Sequence, residues 1–179
     1  MKRSIAVIGK GDAFQGSPDY EIAEKIGFTL IESGYRLITG GLKGVMEAAS
    51  RGAQSASRHQ EGDVVGILPG SDKKEGNPYL DLILPTGLGI ARNMIVAASD
   101  AVIIIGGGAG TLSEVALAWQ MRRLLLAWRG EGSGWGARLA DKPLDGRERF
   151  PGLEEDRIYG FDTAGEAVSL LQKHLKDYL

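Results

Sequence analysis

Residues 103–114, which read IIIGGGAGTLSE, are the part of the chain best suited to chemistry. An apolar run ends in four glycines within five residues and leads into a helix-like segment. Glycine lets the backbone approach a ligand closely, and a helix N-terminus offers unpaired N–H groups and the positive end of its dipole. The pattern therefore predicts a phosphate or nucleotide site, with a merely tight strand-to-helix turn as the alternative. The candidate ligand-binding residues are Gly107, Gly108, Ala109, Gly110 and Thr111.

Two more glycine turns follow apolar runs nearer the start of the chain. Gly9 and Gly11 come after the first run, and Gly40 and Gly41 come after the second, with Lys43 beside them. Because the carboxyl ends of parallel strands meet at one edge of a sheet, all three glycine turns are expected to converge on one crevice. A lysine there would either neutralise a phosphate or lie in solvent, and the sequence favours neither.

The glycine turns match no standard cofactor fingerprint. The first turn lacks the third glycine of the dinucleotide motif, and no Asp or Glu ends the second strand to hold a ribose hydroxyl. Walker-type spacing is also missing. These departures argue against a nicotinamide cofactor. His59 and His174 are isolated in the sequence and we expect them at the surface, so no metal site is predicted.

Apolar periodicity predicts an alternation of strands and helices. Strands are expected at 4–9, 35–39, 64–68, 101–105 and 124–128, with a short one at 81–84, and helices at 18–33, 45–53, 90–98, 112–122 and 163–178. This alternation is typical of an α/β protein. We therefore expect a three-layer, Rossmann-like, doubly wound and mostly parallel sheet with helices on both faces.

Composition limits the functions open to this chain. With 179 residues and 43% hydrophobic content it is long enough for one well-packed domain over 1–179, in which 129–152 is expected to be an irregular loop, either a lid or a surface excursion. The net charge of −2 gives no footprint for nucleic acid or an anionic membrane. The absence of cysteine fits a reducing compartment, so we expect a cytoplasmic protein without a membrane anchor.

Several stretches, in order, resemble the Lonely Guy type of Rossmann-like protein. They are TGGLKGVMEAA at 39–49, VVGILP at 64–69, Arg92, and GGAGTLSE at 107–114. The chain resembles most closely the branch that includes molybdenum cofactor carrier proteins and many uncharacterised nucleotide-binding relatives, some of them labelled lysine decarboxylases. The resemblance spans about residues 4–128.

The resemblance implies a phosphoribohydrolase, which cleaves the N-glycosidic bond of nucleoside 5′-monophosphates and requires no metal or redox cofactor. By position, Arg92 and Glu114 match catalytic residues of the family. A guanidinium can hold oxyanions, and a carboxylate can stabilise an oxocarbenium-like sugar or orient water. Both residues also have simpler explanations: Arg92 as a solvated arginine, and Glu114 as the partner of Thr111 in a helix capping box. The resemblance further implies a homo-oligomer, either a dimer or a tetramer.

Two positions depart from the hydrolase pattern. Family hydrolases commonly have proline before the second glycine pair and lysine after the arginine, where this chain has Gly106 and Asn93. The triple-glycine form is closer to the carrier branch. The alternative function is therefore a non-catalytic carrier or storage protein for the molybdenum cofactor, a phosphorylated pterin. In either case we expect the phosphate on 107–111 with help from 40–41, and the base or pterin near 9–11.

Overall fold

The computed structural model describes residues 1–130, 134–153 and 155–179. Its strands are β1 (Ser4–Gly9), β2 (Arg36–Thr39), β3 (Val64–Leu68), β4 (Leu82–Pro85), β5 (Ala101–Ile105), β6 (Leu124–Trp128) and β7 (Tyr159–Phe161). Its α-helices are α1 (Pro18–Glu32), α2 (Val45–Gln54), α3 (Asn93–Ala97), α4 (Ala109–Gln120), α5 (Trp135–Leu139) and α6 (Ala164–His174). Short 3-10 helices cover Lys73–Glu75, Gly89–Arg92 and Leu175–Tyr178.

The described strands form one parallel sheet in the order β4-β3-β2-β1-β5-β6-β7. In the centre of the sheet, Val7 of β1 lies opposite Ile103 of β5. The chain runs outward from β1 to β4 and then returns to β5 on the other side of β1. The predicted Rossmann-like α/β fold is thus confirmed, and the order reverses between β1 and β5, where doubly wound sheets bind their ligands.

Alternation along the buried strands builds a separate core on each face of the sheet. In β5, Ile103 and Ile105 face the core that holds buried residues of α1, α2 and α6, whereas Val102 and Ile104 face the core under α3 and α4. A strand covered on both faces reads as a continuous apolar run, which explains the sequence of β5. The two cores fix the carboxyl end of β5, from which the glycine turn leaves.

The structure differs from the predicted elements in several places. The predicted helix 90–98 divides into the 3-10 helix Gly89–Arg92 and α3, and the predicted helix 163–178 divides into α6 and the 3-10 helix Leu175–Tyr178. Helix α4 begins at Ala109 rather than at residue 112, and the three-residue strand β7 was not predicted. The segment 129–152, expected to be irregular, contains helix α5, while its residues 131–133 lie outside the described residues. Helix α5 is only five residues long, too short to show a helical period in the sequence.

Candidate functional site

A cavity of about 240 Å³ opens at the carboxyl ends of β1 and β5. It is lined by Ile8, Gly9, Gly11, Gly40, Met46, Arg92, Asn93, Gly108, Gly110, Thr111 and Glu114. The structure therefore brings the three glycine turns together with both candidate catalytic side chains. The reversal of strand order creates this meeting point, since β1 and β2 deliver two of the turns and β5 delivers the third.

Four of the predicted binding residues lie outside the lining of this cavity. Gly41 is buried, and a side chain there would press on Gly66 and Leu68. Gly107 is buried behind Thr111. Ala109 and Lys43 are exposed, and they are absent from the cavity lining.

Three lining residues were not predicted: Ile8, Met46 and Asn93. Each neighbours a predicted feature, because Ile8 is the last apolar residue before the first turn and Asn93 follows Arg92. Met46 lies in the first turn of α2, directly after the second glycine turn. The positions of these three residues next to predicted site features are the sequence signal from which they could have been predicted.

The first turn of α4 faces the cavity with unpaired donors. The N–H of Leu112 bonds to the carbonyl of Gly108 at 3.0 Å and is the first intrahelical bond. The N–H groups of Gly110 and Thr111, two residues of the cavity lining, precede it and so have no partner within the helix. Together with the positive end of the helix dipole, they can hold the oxygens of a phosphate group.

The capping box proposed as an alternative for Glu114 is wrong. The cap position is Gly108, and no side chain caps it. The hydroxyl of Thr111, already inside the helix, donates to the carbonyl of Gly9 at 3.2 Å and joins the end of β1 to α4. The carboxylate of Glu114 bonds to Arg92 instead of folding back onto the backbone.

Arg92 and Glu114 form a buried ion pair in the cavity wall. Nη1 of Arg92 lies 2.9 Å from Oε1 of Glu114, and the two side chains are 10% and 9% exposed. Burial raises the pKa of Glu114 to about 7, although the charge and hydrogen bond of Arg92 act in the opposite direction. Nε of Arg92 is shielded from solvent and has no hydrogen-bond partner among the described residues. The bond to Glu114 uses Nη1, and within the same residues Nη2 donates no hydrogen bond, so Nη2 is the donor left for a ligand oxyanion.

Gly40 lets the Arg92 side chain lie across the carboxyl end of β2. A Cβ atom at Gly40 would lie 2.6 Å from Nη2 of Arg92 and 2.7 Å from Sδ of Met46. Real side chains do not tolerate such distances, so any larger residue would displace the guanidinium. The second glycine turn thus makes room for the arginine of the site.

Helix α5 supports the central glycine turn from behind. The N–H of Trp135 donates to the carbonyl of Gly107 at 3.1 Å, and the N–H of Gly136 donates to that of Gly106 at 3.0 Å. Gly106 has a φ of +61°, which proline cannot adopt because its ring fixes φ near −65°. Gly106, where the hydrolases commonly have proline, therefore allows the turn a backbone conformation that proline could not adopt.

Comparison with known proteins identifies the family. A model of the SLOG cluster4 family matches residues 2–145. The chain belongs to the SLOG cluster4 family. An uncharacterised protein of Archaeoglobus fulgidus is 45% identical over 115 residues, which cover 64% of this chain and 72% of that protein.

Solved structures of similar proteins cover nearly the whole of this SLOG cluster4 chain. The molybdenum cofactor binding protein of Rippkaea orientalis is 31% identical, with a TM-score of 0.76 over 97% of each chain. The molybdenum cofactor carrier protein of Chlamydomonas reinhardtii is 28% identical, with a TM-score of 0.75 over 98% of this chain and 99% of that one. The similarity to the carrier branch is thus found in the structure as well as in the sequence motifs.

Two structural features are absent from the described residues. No helix there has the length and apolarity needed to cross a membrane. Within the same residues, no three His, Cys, Asp or Glu side chains cluster closely enough to hold a metal ion.

Proposed function

We propose that this protein binds a small phosphorylated ligand in the cavity and acts as a carrier for the molybdenum cofactor. The observation that carries this proposal is the similarity, over almost the full chain, to two proteins named for binding or carrying that cofactor. The unpaired N–H groups at the start of α4 support it, because they suit the phosphate of a phosphorylated pterin.

The size of the cavity suggests how such a ligand would lie. Ligand pockets usually enclose about 300–1,000 Å³, and this cavity of about 240 Å³ is smaller. We infer that it holds the phosphorylated end, with the phosphate at Gly108–Thr111 and beside Gly40. The heterocycle would then extend over the rim near Gly9 and the exposed Gly11.

Purification from cells that make the cofactor tests the carrier function. We expect near-stoichiometric pterin, measured by fluorescence after oxidation, together with molybdenum. Arg92→Ala should lower the retained pterin about tenfold or more, since a hydrogen bond to a charged group is lost. Arg58→Ala is the matched control, because Arg58 is exposed and its guanidinium bonds to the carbonyl of Glu32. Wild-type protein that retains neither pterin nor molybdenum would contradict the proposal.

The buried Arg92–Glu114 pair favours a second candidate, a nucleoside 5′-monophosphate phosphoribohydrolase. In this reaction water adds to C1′ of the sugar, the C1′–N bond breaks, and the base leaves with a proton to give ribose 5-phosphate. Ionised Glu114 would orient the water and stabilise the positive charge that develops on the sugar, while Arg92 holds a ligand oxygen. A carboxyl group with a pKa of about 7 can serve as a base at neutral pH.

Chromatographic detection of base release from a panel of nucleoside 5′-monophosphates tests this reaction. We expect release by the wild type that rises with pH through about 7 and is abolished in Glu114→Gln and Arg92→Ala. Glu61→Gln, a change at an exposed carboxylate, should leave release unchanged. Folded wild type that binds a ligand without releasing base would refute hydrolysis and leave the carrier function in place.

We infer that the protein forms a homo-oligomer, a dimer or a tetramer, through an exposed apolar surface on residues 82–95. The large side chains of this surface are exposed by 42% to 89%: Leu82, Leu84, Leu88, Ile90, Met94 and Ile95. Between Asp81 and Asp100 the sole charged residue is Arg92, which is buried in the cavity. An uncharged apolar surface suits a second copy of itself.

Sedimentation analysis of Ile90→Glu tests this surface. Ile90 is 89% exposed, so its replacement should not disturb the fold, whereas a charge in the interface should shift the protein towards monomer. Phe28→Glu is the control, because Phe28 is also exposed but lies on α1. A monomeric wild type would refute the inference.

A further inference from the structure

Asn93 lies in the wall of the cavity and takes part in a short hydrogen-bond chain. It is the first residue of α3, follows Arg92 and is 8% exposed. Its Nδ2 donates to Oγ of Ser113 at 2.8 Å, and that hydroxyl donates to the carbonyl of Gly110 at 2.7 Å. The chain connects the start of α3 to the first turn of α4.

This hydrogen-bond chain fixes which way the carboxamide of Asn93 points. A serine hydroxyl has one hydrogen, and Ser113 gives it to Gly110. Ser113 can therefore only accept from Asn93, so the amide nitrogen must face Ser113 and Oδ1 must face away from it. No described residue donates a hydrogen bond to Oδ1. Oδ1 is not fully enclosed by the protein, and Asn93 lines the cavity, so a donor on a bound ligand can reach this acceptor.

The position of Asn93 also indicates which part of a ligand it would meet. Two hydrogen bonds separate it from Gly110, whose N–H belongs to the proposed phosphate site. Asn93 and Gly110 line the same small cavity, so ligand atoms that reach Oδ1 belong to the part of the ligand next to the phosphate. Arg92 and the first-turn N–H groups are donors, so they cannot bind a donor on the ligand.

We propose that Asn93 is a specificity-determining residue whose Oδ1 accepts a hydrogen bond from a neutral O–H or N–H group close to the ligand phosphate. The inference rests on the proposed phosphate site. In a nucleoside 5′-monophosphate the donor is a sugar hydroxyl. In a phosphorylated pterin it is a ring N–H on the edge of the heterocycle nearest the phosphate, where the ring leaves the cavity. The lysine that resembling hydrolases have here would instead attract a second anionic group.

Calorimetric titration with AMP, 2′-deoxy-AMP and 3′-deoxy-AMP tests the sugar hydroxyl. The wild type should bind AMP about five- to tenfold more tightly than one of the deoxy analogues, as expected for the loss of one neutral hydrogen bond. Asn93→Leu should bind all three with similar affinity. Ser113→Ala keeps Asn93 but removes the hydroxyl that orients its carboxamide, so the preference for AMP over the deoxy analogue should become smaller. Because Ser113 is exposed, this second variant is expected to fold.

The pterin retained by protein from cofactor-producing cells tests the ring N–H. If the donor is on the pterin, Asn93→Leu should retain about five- to tenfold less than the wild type, while the AMP analogues show no difference. Equal binding of all three nucleotides together with unchanged pterin retention overturns the role of Asn93 but leaves the phosphate site in place. A wild type that binds no AMP and retains no pterin overturns the proposed function, and this inference with it.

Discussion

Replacing Glu114 by glutamine should change how the stability of the protein depends on pH. Glu114 is 7% exposed, and its side chain bonds to Arg92. Burial raises the pKa of this carboxyl group to about 7, against the opposing charge and hydrogen bond of Arg92. Glutamine has nearly the same shape and no charge. The variant therefore imitates the protonated form of Glu114 at every pH.

The direction and size of the effect follow from the two states of the chain. In the unfolded chain a glutamate titrates near pH 4.3, about 2.7 units below the folded value. Between these pH values the folded protein keeps a proton that the unfolded chain has lost, so stability falls as pH rises. Each pKa unit corresponds to about 1.4 kcal/mol. Between pH 4 and pH 8, the free energy of unfolding of the wild type should therefore fall by about 3 kcal/mol relative to that of Glu114→Gln. Above pH 8 the difference should be constant.

Urea unfolding of both proteins at several pH values between 4.5 and 8 measures this difference. Every other titrating group is common to the two proteins, so the difference between their free energies of unfolding isolates Glu114. Glu61→Gln, at an exposed position, should follow the wild type throughout. Parallel curves for the wild type and Glu114→Gln would refute the reasoning, because they would mean that the buried carboxyl titrates as it does in water.

Two further substitutions test the packing around the site and at the far end of the sheet. Gly40→Ala should weaken AMP binding about tenfold or more in calorimetry, because the added methyl group displaces the Arg92 guanidinium, whose contribution is that of a charged hydrogen bond. Arg149→Met should lower the free energy of unfolding in urea by about 3–5 kcal/mol, since it leaves the Asp156 carboxylate, whose side chain is only 10% exposed, without its cation. Arg147→Met breaks an exposed ion pair and should lower the free energy of unfolding by less than about 1 kcal/mol. Equal losses in the two arginine variants would contradict a larger stabilising role for the Arg149–Asp156 pair.

The sequence predicted the strands that are fully buried and long enough to leave a recognisable hydrophobic pattern. Strand β5 was predicted with its observed bounds. A strand covered on both faces is a continuous apolar run, so the first and last apolar residues mark its ends. Strand β7 has three residues and lies at the edge of the described sheet beside β6, so it leaves no period in the sequence. Helix α5 is tied to the glycine turn by backbone hydrogen bonds, which carry no side-chain pattern at all.

The sequence predicted where the site lies but not which of its side chains bond to one another. The glycine turns indicate where strand ends meet, and the resemblance pointed to Arg92 and Glu114. Their direct ion pair depends on how α3 packs against α4, which no local motif records. The same limit explains the mistaken capping box: Thr111 has the right spacing from Glu114, yet its hydroxyl bonds to Gly9, 102 residues away in the chain.

Ligand binding should itself take up a proton at Glu114. A phosphate at the start of α4 brings negative charge towards a carboxyl group whose pKa is already about 7, and like charges raise that pKa further. At pH 7.5 an increase of one unit would add about half a proton to Glu114 on binding. Titration of AMP in buffers of different ionisation enthalpy measures this uptake. Comparison with Glu114→Gln removes the titration of the ligand itself, which is common to both proteins. Equal proton uptake by the two would mean that the phosphate binds away from Glu114, and the proposed arrangement at the start of α4 would then be wrong.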